Sequence, residues 1–504
     1  MAIHADSFYL DDTGDGTLQH RIKRMVVEGI LSGRFRPGER MPSSRALARH
    51  LGVSRITVTI AYTDLVADDF LAARGRSGYF ISDAIPAAPR FDLPPTPPDS
   101  RVDWSRHLAH RVTAPQAITR PPDWQSYRYP FIYGQTDSKL FDHQNWRLCA
   151  LQALGQKEFT SLTADHYERD DPKLVEYILR QILTRRGISA GPENILITMG
   201  AQNALWICAQ LLLTQRRTAA VENPGYPGLR QILEQTRCRT ISIDVDEQGL
   251  PPEQLPEGVD VLFTTVSHQC PTNVTMPLAR RKALMRLAAE RGFVIVEDDY
   301  EFEIGFRQAP SPSLKSLDEA GQVIHVGSFS KSLFPGLRLG FLVAPAAFVD
   351  EARNLRATVL RHPPGLIQRT AAYFLSLGHY EAQVNRMRKA YQRRRAVMAE
   401  AIAAQGLVQA GPPDDGGSCF WMRAPDGVNT VDLARRLHGR GVVMEPGVAF
   451  FDPERADDGH YRLAYSSIPS ARIAEGIAII ADEISRYRAE VPRCRGPRRS
   501  NARV

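Results

Sequence analysis

Apolar residues recur every three or four positions at Leu18, Ile22, Met25, Val26 and Ile30, a spacing that predicts an amphipathic helix from Leu18 to Leu31. Gly33 stops that helix and Pro37-Gly38 turns the chain. Ser43 and Ser44 can cap a short helix over residues 45–51, which Gly52 closes. Ser54 can cap the next, which runs to about Asp68. Phe70-Leu71-Ala72 and Tyr79-Phe80-Ile81 then read as two short strands around Arg74-Gly75-Arg76-Ser77-Gly78. Three helices followed by a hairpin is the order of a winged helix-turn-helix, an α+β module.

The pattern changes twice more. Nine prolines fall in residues 84–122, a composition suited to a semi-rigid spacer and not to a core element. From about residue 127, apolar runs at residues 195–198, 261–266, 294–296 and 323–326 alternate with helical stretches, which predicts an α/β fold on a mainly parallel sheet. From about residue 375 the chain is helix-rich with a few strands, a smaller α+β subdomain. The expected organisation is a loose polar N-terminus (1–16), the winged helix (17–82), a Pro-rich linker (83–126), the large domain (127–488) and a basic disordered tail (489–504). A chain of 504 residues supports this number of domains.

Charge sharpens the picture at the ends. The net charge is +7, and residues 20–80 hold 11 Lys/Arg against 5 Asp/Glu. Residues 493–504 hold five arginines and no acid, so the remainder is weakly acidic. Basicity gathered at one end points to a polyanion. The six cysteines are scattered, without metal-site spacing, and fit a reduced cytoplasm. No signal-peptide pattern and no membrane-length apolar run occurs, so no membrane partner and no metal are expected.

In a helix-turn-helix the N-terminal residues of the second helix lie nearest the bases. Here these are Ser54, Arg55, Ile56 and Thr57. Arg55 can fork to a guanine edge, Thr57 can meet a phosphate or a thymine methyl, Arg45 can clamp phosphate, and Arg74 and Arg76 can enter a minor groove. The stretch Pro37-Gly38-Glu39-Arg40-Met41-Pro42-Ser43-Ser44-Arg45, with Leu51-Gly52-Val53-Ser54-Arg55-Ile56-Thr57-Val58, resembles the GntR winged-helix family. The resemblance implies that Arg45, Ser54, Arg55, Thr57 and the wing residue Gly75 touch operator DNA. Thr59 stands where some members carry a third arginine, so the base code does not transfer.

Lys331 lies in Gly327-Ser328-Phe329-Ser330-Lys331-Ser332-Leu333-Phe334-Pro335-Gly336-Leu337-Arg338. An imine-forming lysine wants a partly desolvated, cation-rich pocket. Beside it, Ser328, Ser330 and Arg338 can cradle a phosphate. A lysine with a phosphate cradle is what pyridoxal 5'-phosphate requires. The amides of Gly200, Ala201 and Gln202, where a strand turns into a helix, can face the same anion. A carboxylate at the end of Phe293-Val294-Ile295-Val296-Glu297-Asp298-Asp299-Tyr300 can pair with the pyridine N–H. Asp299 competes for that role with Asp298. A metal cluster with Glu301 and Glu303 is a rival reading that lacks any nearby His or Cys.

The Lys331 run resembles the lysine segment of fold-type I aminotransferases. That resemblance implies Tyr226 over the cofactor ring, Asp298 at the pyridine nitrogen, Tyr300 on the phenolic oxygen and Arg462 on an amino-acid carboxylate. It also implies that Tyr167 reaches the phosphate of a partner subunit in a dimer. In Ser267-His268-Gln269-Cys270-Pro271-Thr272, the usual asparagine is replaced by Cys270, so His268 or Gln269 is expected to substitute. This departure makes full transaminase turnover doubtful. The same run resembles regulators of ectoine use, which implies a diamino-acid-type effector.

Winged helix, linker and aminotransferase-like domain together resemble the MocR-type branch of GntR regulators. The resemblance implies a cytoplasmic homodimer, often with swapped DNA domains. An amino acid or amine would be sensed by formation of an external aldimine at Lys331, and operator binding would change. The alternative is a working aminotransferase with an attached DNA-binding domain.

Overall fold

The computed structural model describes residues 2–10, 16–84, 102–108, 121–305, 311–411 and 416–490. Contacts divide the chain into two units, residues 1–111 and 112–504.

The first unit is a three-helix winged helix. Its helices are α1 (Leu18–Leu31), α2 (Ser44–Leu51) and α3 (Arg55–Ala67), followed by an antiparallel hairpin of β1 (Leu71–Ala73) and β2 (Tyr79–Ile81). Each helix starts where a hydroxyl accepts a free backbone N–H: Thr17 from His20, Ser43 from Ala46, Ser54 from Thr57. Gly52 closes α2 in the left-handed conformation, φ +66°. Ile22, Val26, Leu47, Val58, Tyr62, Leu65, Leu71 and Ile81 form the core.

Residues 2–10, expected to be loose, fold back onto this core. Ile3 N–H donates to Arg40 O at 2.8 Å, and Phe8 is fully buried with its ring 4.8 Å from that of Phe35. An aromatic ring buries more apolar area than any other residue of this segment, which offsets the entropy of ordering it.

The second unit carries a seven-stranded mixed sheet. Its strands are β3 (Ile195–Thr198), β4 (Thr218–Asn223), β5 (Arg239–Asp244), β6 (Val261–Thr264), β7 (Val294–Asp299), β8 (Val323–Ser328) and β9 (Gly340–Val343), in the spatial order β3-β9-β8-β7-β6-β4-β5. All pairs are parallel except those of β9, which runs antiparallel to both its neighbours. Strands β3, β6, β8 and β9 are buried at every position, as expected of a sheet covered on both faces. Helix α4 (Ala201–Leu212) follows β3 directly.

The smaller subdomain begins with the 26-residue helix α5 (His379–Ala404). It adds a four-stranded antiparallel sheet of β10 (Val408–Gln409), β11 (Cys419–Arg423), β12 (Glu445–Pro446) and β13 (His460–Ala464), with helices α6 (Thr430–His438) and α7 (Ser470–Glu490). Two short helical turns, Trp104–His107 and Trp124–Ser126, fall in the stretch read as linker. Residues 85–101 and 109–120 of the linker, and the tail from 491, lie outside the described residues.

Candidate functional site

The carboxyl ends of β7 and β8 and the amino end of α4 open on one cavity of about 290 Å³. Its lining includes Lys331, Ser328, Ser330, Arg338, Ala201, Gln202, Tyr226, Asp298, Tyr300 and Arg462. The structure thus gathers in one place residues read separately along 262 positions of sequence, from 201 to 462.

The phosphate end is built by backbone approach. Gly200 sits at φ +84°, where a side chain is strained, and a Cβ there would lie 3.3 Å from Arg338 Nη2. Arg338, itself left-handed, donates from Nη2 to Met199 O at 3.0 Å and so stays over the start of α4. Ser328 Oγ accepts from Ser330 N–H at 3.2 Å, which orders the turn just before Lys331. A helix start, two hydroxyls and a guanidinium make an anion cradle.

The acid end separates the two aspartates. Successive side chains of a strand point to opposite faces. Asp299 points away from the cavity and pairs with Arg186 Nε at 2.7 Å. Burial would raise its carboxyl, but Arg186 and His325 outweigh that and hold it below its ordinary value. Asp298 lines the cavity, and its Oδ1 is buried without a hydrogen-bond partner. Burial, with the charges of Asp299 and Glu222, pushes Asp298 up to about 7. A buried carboxylate oxygen lacking a partner calls for a cationic N–H donor. The residues present therefore fit pyridoxal phosphate: cradle at one end, acceptor carboxylate at the other, lysine between. Among the described residues no His/Cys/Asp/Glu group could hold a metal ion.

Lys331 Nζ lies 3.9 Å from the ring centroid of Tyr133. Gly134, at φ +76°, lets the chain pass: a Cβ there would lie 2.6 Å from Lys331 Nζ. Tyr133 donates to Glu301 Oε2 at 2.9 Å and carries Arg462 Cζ 4.0 Å from the same ring. Arg462, 3% exposed, is bound through Nε–H to Glu445 Oε2 at 2.8 Å. Tyr133, Gly134, Gln135, Phe450 and Glu445 were not read from the sequence. Glu445 left one signal, a charge closing the buried run Val442-Val443-Met444.

His268, Gln269 and Tyr167 do not line this cavity. The cavity lining includes Cys270 but neither His268 nor Gln269. The Gln269 amide donates to Glu222, Pro224 and Cys270 and accepts from Thr272, so it ties the loop together. His268 meets the site through its backbone oxygen, which accepts from the Tyr300 hydroxyl at 2.9 Å. Tyr167 is 49% exposed, under the Arg361 guanidinium.

In the first unit, Arg45 and Arg55 are exposed, and Arg55 Nε–H reaches Ser44 Oγ at 3.5 Å. Ser54 Oγ caps α3 and shares a hydrogen bond of 2.8 Å with the Thr57 hydroxyl. Ile56 is 72% exposed between them. Arg74 pairs with Asp83 at 2.9 Å and covers the Phe80 ring; Gly75 opens the turn Gly75–Ser77 at φ +49°. The side chain of Arg76 lies outside the described residues.

Residues 18–81 match the family of bacterial regulatory proteins of the gntR type, and residues 139–480 match aminotransferase class I and II. The HTH-type transcriptional regulator TauR of Rhodobacter capsulatus is 62% identical over 95% of this chain and 99% of its own. The probable rhizopine catabolism regulatory protein MocR of Rhizobium meliloti is 30% identical over 93% of this chain and 94% of its own. The alpha-aminoadipate aminotransferase LysN of Thermus thermophilus, solved with N-(5'-phosphopyridoxyl)-L-leucine, superposes with a TM-score of 0.69 at 27% identity, covering 77% of this chain and all of that one. The chain belongs to the MocR-type GntR regulators, in which a winged helix-turn-helix is joined to an aminotransferase class I and II domain.

Proposed function

We propose that this protein is a transcriptional regulator that binds pyridoxal phosphate through Lys331 and operator DNA through α3, and changes its DNA affinity when a small primary amine takes the place of Lys331. The observation that carries this reading is Asp298 Oδ1, buried without a hydrogen-bond partner, in the same cavity as Lys331 and a phosphate cradle. The phosphopyridoxyl-leucine of LysN occupies the corresponding fold, and the relatives that match nearly the whole chain are named as regulators. The names of these relatives do not favour the alternative of an aminotransferase with an attached DNA-binding domain. Exposed Tyr167 is suited to reach a second copy, so the working unit is a homodimer in the cytoplasm.

The bound cofactor supplies an aldehyde that exchanges one amine for another. The chain's residues do the rest. Arg338, Ser328, Ser330 and the start of α4 hold the anion. Asp298 holds a proton-bearing ring nitrogen, Tyr226 lies at the cavity wall and Arg462 meets an anionic group. An effector changes operator affinity only if it binds one arrangement of the protein better than the other. A tenfold change needs about 1.4 kcal/mol of such coupling.

The test is Lys331→Ala. Wild-type protein incubated with pyridoxal phosphate and borohydride should carry a mass adduct on Lys331, and the variant none. Operator affinity of the variant should not respond to any amine in a panel of amino acids and simple amines. An intact amine response in the variant would overturn the reading.

A further inference from the structure

The guanidinium of Arg462 is enclosed on three sides. One face lies over Tyr133, 4.0 Å from Cζ to the ring centroid, and Phe450 lies 4.5 Å away. Its Nε edge is occupied by Glu445 Oε2 at 2.8 Å. Glu445 is 1% exposed and stands directly opposite Arg462 in the β12–β13 register, so the contact is set by the backbone. A new anion can therefore approach only in the guanidinium plane, at the remaining nitrogens.

With pyridoxal phosphate bound, its phosphate would match Arg338 and its ring nitrogen would match Asp298, both of which line the cavity. Cys270 and Cys419 near Arg462 stay neutral, because burial pushes both thiols up to about 12. Lys331 and Arg462 both lie within 4.0 Å of the Tyr133 ring centroid, so both are within reach of one small ligand. The cavity, about 290 Å³, sits at the low end of the roughly 300–1,000 Å³ of ligand sites. The anion of an effector thus meets an arginine already neutralised by a carboxylate buried beside it, and like charges in such a place repel.

We propose that Glu445 is a specificity-determining residue of this sensor: by neutralising Arg462 it restricts the effector to a small primary amine with a single anionic group, and holds down the affinity gained from that group. The inference rests on the amine-sensing reading above. A buried arginine must be balanced when the site is empty, and Glu445 does this at the expense of the ligand's own anion.

The experiment compares alanine with isopropylamine, which puts a methyl group in place of the carboxylate. Both are titrated into pyridoxal-phosphate-saturated protein and read by the cofactor's visible spectrum and by loss of the borohydride adduct on Lys331. Glu445→Gln keeps an oxygen for Arg462 Nε–H and removes only the charge. The preference for alanine over isopropylamine should rise about tenfold in E445Q, equivalent to about 1.4 kcal/mol. An unchanged or smaller preference overturns the proposal, because Glu445 then only holds Arg462 in position. If E445Q does not fold, Glu445→Asp withdraws the charge by one methylene and should raise the preference severalfold; no rise there overturns it equally. If alanine does not displace Lys331 in the unaltered protein while another amine of the panel does, this inference fails alone; if no amine of the panel does, the amine-sensing reading fails and takes this inference with it.

Discussion

At the scale of single residues, Asp298 and Asp299 show how one covalent step separates two chemistries. Asp299 is spent on Arg186, whereas Asp298 waits in the cavity with its carboxyl pushed up to about 7. A carboxyl raised in the folded state weakens the fold once it ionises. The penalty is absent below about pH 4, grows by about 1.4 kcal/mol per pH unit, and levels off above about pH 7. Asp298→Asn should therefore melt higher than wild type at pH 8 without cofactor. That advantage should shrink as pH falls from 7 to 5, while pyridoxal phosphate binding weakens. Thermal melts of cofactor-free protein across pH check this; a constant difference would mean that charge is not the cause. Lys331 and Ser328 could be read from their own local run, a lysine beside hydroxyls and a Gly/Pro turn. The run 293–300 alone leaves Asp298 and Asp299 open, and the roles of Asp298, Tyr300 and Arg462 come from the resemblance to fold-type I aminotransferases. Tyr133 and Gly134 could not, because their roles arise only when a segment about 200 residues before Lys331 in sequence is brought against it. Glu445 could not either, because it meets Arg462, 17 positions on, only through the pairing of two strands.

At the scale of elements, helix ends were the most legible feature. The span Leu18–Leu31 and the start of α3 follow from apolar spacing and a hydroxyl cap, both short-range properties. Strand direction was not legible. Gly340–Val343 is four buried residues, and nothing in them says that β9 runs against both neighbours. The cap of the recognition helix has a measurable weight. Ser54→Ala removes the acceptor of Thr57 N–H and frees the Thr57 hydroxyl. It should cost the winged-helix unit about 1 kcal/mol and weaken operator binding, checked by thermal unfolding and by a DNA titration of the same variant. Stability and affinity both unchanged would mean that the helix start does not depend on this bond.

At the scale of the whole molecule, the chain holds two units with their own cores. Heating should give two transitions. Pyridoxal phosphate at a hundred times its dissociation constant should stabilise only the larger unit, by about 2.7 kcal/mol. Differential scanning calorimetry with and without the cofactor shows whether one transition moves and the other stays; both moving together would mean that the units unfold as one. Phe8 belongs to the first core although it precedes the first of that unit's three helices. Residues 2–10 thus plug that core. An affinity handle or fluorescent reporter joined there needs enough slack for that ring to reach its socket, and trimming the first ten residues in pursuit of a minimal reading head would leave a hole where a small domain has least stability to spare.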